Sequence, residues 1–287
     1  MFGKERFREI NSLLNDAFVR NRVLIAVHRG TGGGNIPGNT IPAFQMALDT
    51  GADMFELDVS VSTDNALYSF HDGNEKHALG IDANIETFSS SDINRFTYIN
   101  SIGEPSGVHI DMLESVVSFF KNGELYNVDR AWKKMPQTIA VLNKYPWSIK
   151  QALIKSPVRE DVLDFLNECP QKYMFMPIAH SVRDVEKALD YKDINLVGIE
   201  LIAGKQDDEL FQDEIIKFIH EKDLFAWVNA ITLSGLPQHI LFGGLDDNTA
   251  LLKNKDDAWG KLLQKKIDII QTDWPIQLKN YRDSYFR

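Results

Sequence analysis

The sequence predicts a single α/β domain folded as a TIM (β/α)8 barrel. Eight apolar runs have the length of buried strands, and helical patterns separate most of them along the 287 residues. No linker, repeat or low-complexity segment divides the chain, so residues 1–287 are expected to form one unit. The predicted strands begin at Val23, Met54, Leu125, Ala152, Lys172, Leu196, Leu224 and Ile267.

The N-terminal segment, residues 1–22, is charged throughout, and its apolar residues recur at helical spacing. This pattern predicts an amphipathic helix that closes one end of the barrel. The segment has no apolar stretch of the kind found in a signal peptide or a membrane span. We therefore expect no transmembrane segment and a cytoplasmic protein as the sequence stands, or an exported one if a leader has been removed.

Between the strands, apolar periodicity predicts helices over residues 40–50, 112–121, 159–167, 182–189, 212–221 and 259–265. Residues 73–108, after the second strand, are rich in turn residues and are predicted to be an irregular insertion with one short helix from Ser90. A long loop in a barrel can form a lid or substrate wall, or it can be a mere insertion. The sequence leaves both open.

Composition limits the choice of partners. The chain has 31 basic and 41 acidic residues, a formal net charge of −10, which argues against a nucleic acid partner. A small anion bound through a metal ion is compatible with this charge. The single cysteine, Cys169, excludes an intramolecular disulfide and is expected to be buried at the end of a helix.

Residues suited to phosphate chemistry cluster between Val23 and Asp72. His28 and Arg29 follow the first strand, and His71 follows a short apolar run at 66–70. Glu56 and Asp58 lie two positions apart in the second strand, so their side chains point to the same face, an arrangement suited to a hard divalent cation.

These segments carry a resemblance to a known family. The matching motifs, in order, are HRG at 28–30, PGNT at 37–40, AF at 43–44, GAD at 51–53, ELDV at 56–59 and HD at 71–72. In order and spacing they resemble the glycerophosphodiester phosphodiesterase family. The resemblance implies metal-dependent hydrolysis of glycerophosphodiesters, small-molecule substrates, to glycerol 3-phosphate and an alcohol.

The resemblance also implies a third metal ligand, a glutamate in the family, at the end of the strand that begins at Leu125. Asp129 occupies this position here, and it could instead cap the next helix or pair with Arg130. A second departure is Gly38, which stands where the family motif PENT has glutamate. Both departures bear on the exact substrate more than on the fold.

The predicted site combines three kinds of residue. Oxygen ligands favour Mg²⁺ or Ca²⁺ over Zn²⁺, and the predicted metal ligands are Glu56, Asp58 and Asp129. Imidazoles suit general acid and base catalysis, and the predicted pair, with no division of roles, is His28 and His71. The predicted substrate-binding residues are Arg29, Lys155 and Trp227.

Several alternatives stay open. Trp227 either contacts substrate or fills the barrel mouth. Glu200, at the end of the sixth strand, could approach the site but is expected at the surface. A phospholipase-like enzyme acting on lipid or lysophospholipid head groups would need an exposed apolar rim, with Phe70, Phe88, Phe96, Trp132, Phe242 and Trp274 as candidates. A barrel that binds phosphorylated ligands without turnover is the third reading. The oligomeric state is not predicted.

Overall fold

The computed structural model describes residues 1–287 and contains eleven strands. They are β1 (Leu24–Val27), β2 (Met54–Val61), β3 (Leu67–Ser69), β4 (Thr97–Ile99), β5 (Pro105–His109), β6 (Leu125–Asp129), β7 (Ala152–Pro157), β8 (Met174–Ala179), β9 (Gly198–Leu201), β10 (Phe225–Asn229) and β11 (Ile269–Thr272).

Eight parallel strands form a closed barrel in the order β1, β2, β6, β7, β8, β9, β10, β11. Closure comes from β1, which pairs with β2 on one side and with β11 on the other. The predicted barrel is confirmed, and three of its strands begin at the predicted residue. The other five begin one or two residues later, because flanking apolar residues such as Val23 and Leu196 are buried but lie outside the strand ladder.

The barrel strands are buried on both faces, which explains why they are apolar without alternation. In β1, Leu24 and Ala26 belong to the cluster inside the barrel, whereas Ile25 and Val27 belong to the larger cluster between strands and helices. Polar side chains at the carboxyl ends of these strands therefore stand at the rim of a packed interior and not in a pore.

Helices surround the barrel. They are α1 (Ser12–Asn21), α2 (Ile41–Asp49), α3 (Glu75–Ala78), α4 (Ser90–Ile93), α5 (Leu113–Phe119), α6 (Met135–Leu142), α7 (Ser148–Gln151), α8 (Glu160–Glu168), α9 (Val182–Asp190), α10 (Asp213–His220), α11 (Asp247–Leu252), α12 (Trp259–Gln264) and α13 (Pro275–Tyr285). Cys169 is buried directly after α8, as expected. None of the helices has the length and apolar character needed to cross a membrane.

The N-terminal segment packs where the sequence predicts. Phe2 and, from α1, Leu14 and Ala17 join the apolar cluster of the barrel interior. Since that cluster includes residues near the starts of the strands, α1 closes the amino-terminal end of the barrel. The opposite end, where the carboxyl ends of the strands meet, stays available for a site.

The insertion at 73–108 is more regular than predicted. It contains α3, the predicted short helix α4 and an antiparallel hairpin of β4 and β5, which the sequence analysis missed. The hairpin strands are short, and Pro105 and Gly107 in β5 resemble turn residues. The insertion and the residues that flank it share a separate apolar cluster, made of Tyr68, Phe70, Leu79, Ile85, Ile93, Tyr98 and Ile110.

Candidate active site

Three carboxylates converge where the middle of β2 lies beside the carboxyl end of β6. Glu56 and Asp58 lie on one face of β2, and Asp129, the last residue of β6, is the register partner of Asp58. One carboxylate oxygen from each lies within 4.8 Å of the others. Glu56 and Asp58 are buried and Asp129 is half-buried. The three predicted metal ligands therefore form one acidic cluster.

The charges in this cluster are not balanced locally. Burial, together with Asp58 and Asp129, raises the pKa of Glu56 well above its ordinary value. Burial also opposes ionisation of Asp58, but the Arg29 guanidinium and two nearby imidazoles hold the pKa of Asp58 below its usual range. Glu56 Oε1 is buried and has no hydrogen-bond partner. An additional cation beside these oxygens would relieve their repulsion.

Arg29 is fixed against the cluster by its backbone and by its side chain. Its backbone is left-handed, with φ of 55°, and its N–H donates a 2.9 Å hydrogen bond to Glu56 Oε2. Its Nε lies 2.9 Å from Asp58 Oδ2. The following Gly30 is required because a Cβ there would lie 2.6 Å from the backbone of Ala43. The close approach of this turn to α2 thus aims the guanidinium at the site.

His28 is held by the end of the last barrel strand. Its Nδ1 lies 3.1 Å from Asp273 Oδ1. The backbone N–H of Asp273 donates to the buried carboxylate of Asp247, which also accepts from Thr272 Oγ1 and Trp259 Nε1 at 2.9 Å each. Burial raises the pKa of Asp247 to about 7. The sequence analysis assigned no role to either aspartate, although Asp273 is the last residue of the eighth predicted strand.

His71 has different surroundings, on the insertion side of the site. It is half-buried and its Nδ1 has no hydrogen-bond partner. Burial lowers the pKa of His71 below its ordinary value, although the nearby Asp58 carboxylate opposes this shift. The next residue, Asp72, accepts hydrogen bonds from Arg130 Nε at 2.8 Å and Lys133 Nζ at 2.6 Å. These pairs tie the beginning of the insertion to the barrel.

Asp129 is shared between the acidic cluster and a buried lysine. Its Oδ1 accepts the backbone N–H of Arg130 at 2.7 Å, but the Arg130 side chain points to another partner, so the alternative side-chain pairing is not observed. Lys155 Nζ lies 2.6 Å from Asp129 Oδ2 and 3.1 Å from Glu200 Oε2. Although burial favours the neutral amine, these carboxylates hold the pKa of Lys155 above its usual value. The ammonium is therefore charged and paired.

On this side of the barrel the structure corrects the expectation for Glu200 and agrees with one of the two alternatives for Trp227. Glu200 is buried, not at the surface, and its Oε1 accepts a 2.7 Å hydrogen bond from Asn229 Nδ2. Trp227 has no exposed surface, and its Nε1 donates to Asn229 Oδ1 at 2.9 Å. Its ring lies under Lys155 Nζ at 5.9 Å. Trp227 therefore fills the barrel instead of presenting a face to substrate, because its side chain points inward from β10.

The turn before α2 supplies a residue that the sequence analysis did not assign. Asn39, with φ of 60°, donates from Nδ2 to Asp58 Oδ2 at 2.8 Å and accepts the Asp58 backbone N–H at 3.0 Å. This double contact orients the carboxylate. A Cβ at the preceding Gly38 would lie 3.2 Å from Arg29 Cβ, so the absence of a side chain lets the turn pack closely against the arginine.

The rim around the site is partly apolar. Most of its exposed apolar side chains are not the candidates named from the sequence. Trp274 is 47% exposed, whereas Phe70 and Phe242 are buried. The loops that follow β1 and β10 contribute other exposed apolar side chains, Ile36, Leu233 and Leu236, with exposures of 36%, 53% and 52%. Since β10, β11 and β1 are neighbours in the barrel, these loops and Trp274 lie on one side of the mouth.

Solved structures of other proteins share this architecture. A glycerophosphoryl diester phosphodiesterase from Parabacteroides distasonis aligns with a TM-score of 0.73 at 17% identity, over 96% of this chain and 92% of that one. An Oleispira antarctica phosphodiesterase in complex with the product sn-glycerol-3-phosphate aligns with a TM-score of 0.65 at 15% identity, over 93% and 99% of the two chains. At these identities the likeness shows the fold.

Sequence relatives match over shorter stretches. A glycerophosphodiester phosphodiesterase from Bacillus altitudinis is 35% identical over 111 residues, which are 36% of this chain and 45% of that protein. The human lysophospholipase D GDPD1 is 45% identical over 58 residues, 20% of this chain and 18% of that protein. The matches thus span less than half the length of these relatives.

Models of protein families together match a longer part of the chain than these single relatives do. A domain of unknown function matches residues 174–282. The model of the glycerophosphoryl diester phosphodiesterase family matches residues 28–224, from the first histidine of the site to the start of β10 and including every predicted metal ligand. This chain therefore belongs to the glycerophosphoryl diester phosphodiesterase family.

Proposed function

We propose that this protein is a metal-dependent hydrolase of glycerophosphodiesters, releasing glycerol 3-phosphate and an alcohol. The observation that carries the proposal is the convergence of two imidazoles, a guanidinium and three carboxylates at the mouth of one barrel. Carboxyl ends of barrel strands are where TIM-barrel enzymes place their chemistry. The names of the B. altitudinis and P. distasonis proteins point to the same reaction.

The acidic cluster suits a divalent cation. Four carboxylates, those of Glu56, Asp58, Asp129 and Glu200, lie within reach of two cationic side chains, a net excess of negative charge that one divalent ion would offset. All the available ligand atoms are oxygens, and one of them, Glu56 Oε1, lacks any partner. This donor set favours Mg²⁺ or Ca²⁺. When bound, such an ion polarises the phosphoryl oxygens as a Lewis acid.

The protein's own side chains would bind the phosphate and transfer protons. Arg29 presents a planar fork that suits phosphate oxygens, and its pairing with Asp58 fixes its direction. His28 and His71 would exchange protons with the nucleophile and the leaving alkoxide. Asp273 fixes the His28 ring by its contact with Nδ1, leaving Nε2 for the reaction. Lys155 is 3% exposed, so its main effect would be to hold Asp129 in place.

Turnover with defined substrates tests the proposal. Glycerol 3-phosphate release from glycerophosphocholine and glycerophosphoethanolamine is measured with Mg²⁺, with Ca²⁺ and with chelator. We expect metal-dependent turnover that His28→Ala lowers at least about 10²-fold, the lower range for a lost acid or base. His220→Ala, at the opposite end of the barrel, is the control and should retain turnover per folded molecule. Folded protein that binds metal but hydrolyses neither substrate would instead favour the binding-only barrel.

A lysophospholipid substrate is a second candidate because of the apolar rim. The exposed side chains of Leu233, Leu236 and Trp274 lie next to the strands that carry His28 and Asp273. An acyl chain attached to a diester held at the histidines could rest on this surface. The relative named lysophospholipase D GDPD1 is consistent with this substrate class.

A double substitution tests the second candidate. Leu233→Ser with Leu236→Ser should raise KM for lysophosphatidylcholine by about 5- to 20-fold, the effect of losing part of the burial of two leucines. KM for glycerophosphocholine should not change. The matched control is Val19→Ser, which replaces a 73% exposed residue of α1 at the other end of the barrel. Equal effects on both substrates would contradict acyl binding at this rim.

A further inference from the structure

A small pocket lies between the barrel mouth and the insertion, beside the candidate catalytic residues. It encloses about 240 Å³. Arg29, Asn39 and His71 form its wall on the side of the site, and Tyr98 of β4 belongs to the wall contributed by the insertion. A ligand whose phosphate is held by Arg29 next to His71 would place a neighbouring group in this pocket. Its volume suits a group of a few heavy atoms.

The chemistry of the pocket wall is selective. None of the lining residues carries a carboxylate, so a cationic amino group would find no acidic partner there. The polar lining side chains are an arginine, two histidines, two asparagines and a tyrosine. All of these can donate hydrogen bonds at neutral pH. The wall therefore suits an oxygen-rich, uncharged or anionic group.

Tyr98 is the unusual member of this wall. It is 3% exposed, and its ring packs 6.1 Å from that of Phe70 in the apolar cluster of the insertion. Its hydroxyl is buried and has no hydrogen-bond partner in the protein. Buried hydroxyls are nearly always satisfied, so an unpaired one beside a polar pocket points to a ligand atom as its partner. Burial raises the pKa of Tyr98 far above its ordinary value, and the phenol stays a donor.

We propose that Tyr98 is a specificity residue, whose phenol donates a hydrogen bond to a hydroxyl oxygen of the polyol part of the substrate. The proposal rests on the proposed function, and it names the insertion as the part of the chain that recognises the polyol. The phenol oxygen is covered from solvent, so the contact requires a small shift of the ring or of the hairpin of β4 and β5. Asn39 is already committed to Asp58, whereas Tyr98 contributes the buried, unpaired hydroxyl of this wall.

Binding to two phosphates that differ in their hydroxyls tests this role. With Mg²⁺ present, calorimetry compares sn-glycerol 3-phosphate with methyl phosphate, which has the same anionic group and no hydroxyl. Tyr98→Phe keeps the ring and should weaken binding of glycerol 3-phosphate about 3- to 10-fold, as expected for one lost hydrogen bond, with methyl phosphate unchanged. The matched control is Tyr126→Phe, which removes another buried, unpaired phenol that does not line the pocket.

The outcomes separate this role from the proposed function. Loss of affinity for both phosphates in Tyr98→Phe, or for neither, overturns the specificity role, and so does a wild type that does not prefer glycerol 3-phosphate. If the wild type hydrolyses no diester but binding still shows the selective loss, the hydrolase proposal fails and the polyol contact stands. With turnover, Tyr98→Phe should raise KM for glycerophosphodiesters and leave bis(p-nitrophenyl) phosphate, which has no polyol, unaffected.

Discussion

The two ends of strand β11 carry the same pair of residue types in different settings. At the carboxyl end, Asp273 contacts His28 Nδ1 at 3.1 Å. At the amino end, Asp268 contacts His220 Nε2 at 2.7 Å and also accepts the backbone N–H of Ala226 at 2.8 Å. The first pair adjoins the acidic cluster and Arg29, whereas the second fastens α10 to the strands.

The difference teaches that a histidine paired with an aspartate is not by itself a sign of catalysis. Asp268 is buried with two hydrogen-bond partners, and its side chain is 10% exposed. Asp273 is 44% exposed, and the histidine it contacts faces the barrel mouth, where a ligand can approach. We therefore expect the position of each pair relative to the strand ends to decide its role.

The largest effect is expected at the carboxyl end. Asp273→Asn removes the charged acceptor for His28 Nδ1–H, so the ring loses its fixed tautomer and orientation. We expect turnover of glycerophosphodiesters to fall about 10²- to 10⁴-fold, the range typical of a disabled acid or base. Thermal unfolding should change little, because Asp273 is partly exposed. Turnover within threefold of the wild type would show that His28 does not depend on this contact.

Asp247, which supports Asp273 at the carboxyl end of β11, should make the free energy of unfolding depend on pH. Its pKa is about 7 in the folded protein, against an ordinary value of 3.8. The folded state therefore keeps a proton that the unfolded chain releases, so the stability contributed by this group is largest below pH 4 and is lost as pH rises through about 7. Linkage sets this loss at no more than about 4 kcal/mol.

Asp247→Asn removes this titration. Urea unfolding between pH 4 and 7.5 should show a free energy of unfolding that decreases more steeply with pH in the wild type than in the variant. All other titrating groups are shared by the two proteins and cancel in the comparison. Parallel curves would mean that the carboxyl of Asp247 is ionised in the folded protein throughout this range.

A substitution in the pair at the amino end of β11 should lower stability and leave turnover nearly unchanged. Asp268→Asn weakens the contacts with His220 and with the backbone of Ala226. We expect a loss of about 1–3 kcal/mol in the free energy of unfolding, since buried partners are left unsatisfied. Turnover per folded molecule should stay within twofold of the wild type. A large loss of turnover at full stability would overturn the division between the two ends.

The sequence was sufficient to predict the barrel and the strands that carry the candidate site residues. Side-chain alternation places Glu56 and Asp58 on one face of β2, and the order of the strands brings Asp129, at the end of β6, beside them. His28 directly follows β1. The predicted insertion proved to contain a hairpin, whose short strands have too few residues to show a period.

Long-range partners could not be predicted in the same way. Asp273 contacts His28 across a sequence separation of 245 positions, and Asp247 contacts Asp273 across 26 positions. No local pattern encodes such contacts. Glu200 was expected at the surface because a charged residue is usually exposed, and Lys155 reverses this expectation by pairing with it inside the barrel. The inward direction of Trp227 likewise depends on the register of β10 in the closed barrel.

The smallest effect concerns the contact that holds the insertion to the barrel. Lys133→Met removes the ion pairs of Lys133 with Asp72 and Glu86, but Arg130 still holds Asp72. Lys133 is 38% exposed, so solvent screens these pairs and we expect a loss of less than about 1 kcal/mol. Hydrogen exchange should locate the loss in residues 73–108 and leave the strands of the barrel protected.

Lys144→Met is the matched control for this measurement, because it removes an exposed ion pair with Glu114 that lies outside the insertion. If both variants accelerate exchange equally in residues 73–108, Lys133 does not fasten the insertion. Faster exchange in the Lys133 variant alone would mean that the two histidines are held by different means. His28 would depend on Asp273, which Asp247 holds through buried hydrogen bonds, and His71 on an ion-pair contact whose strength varies with salt.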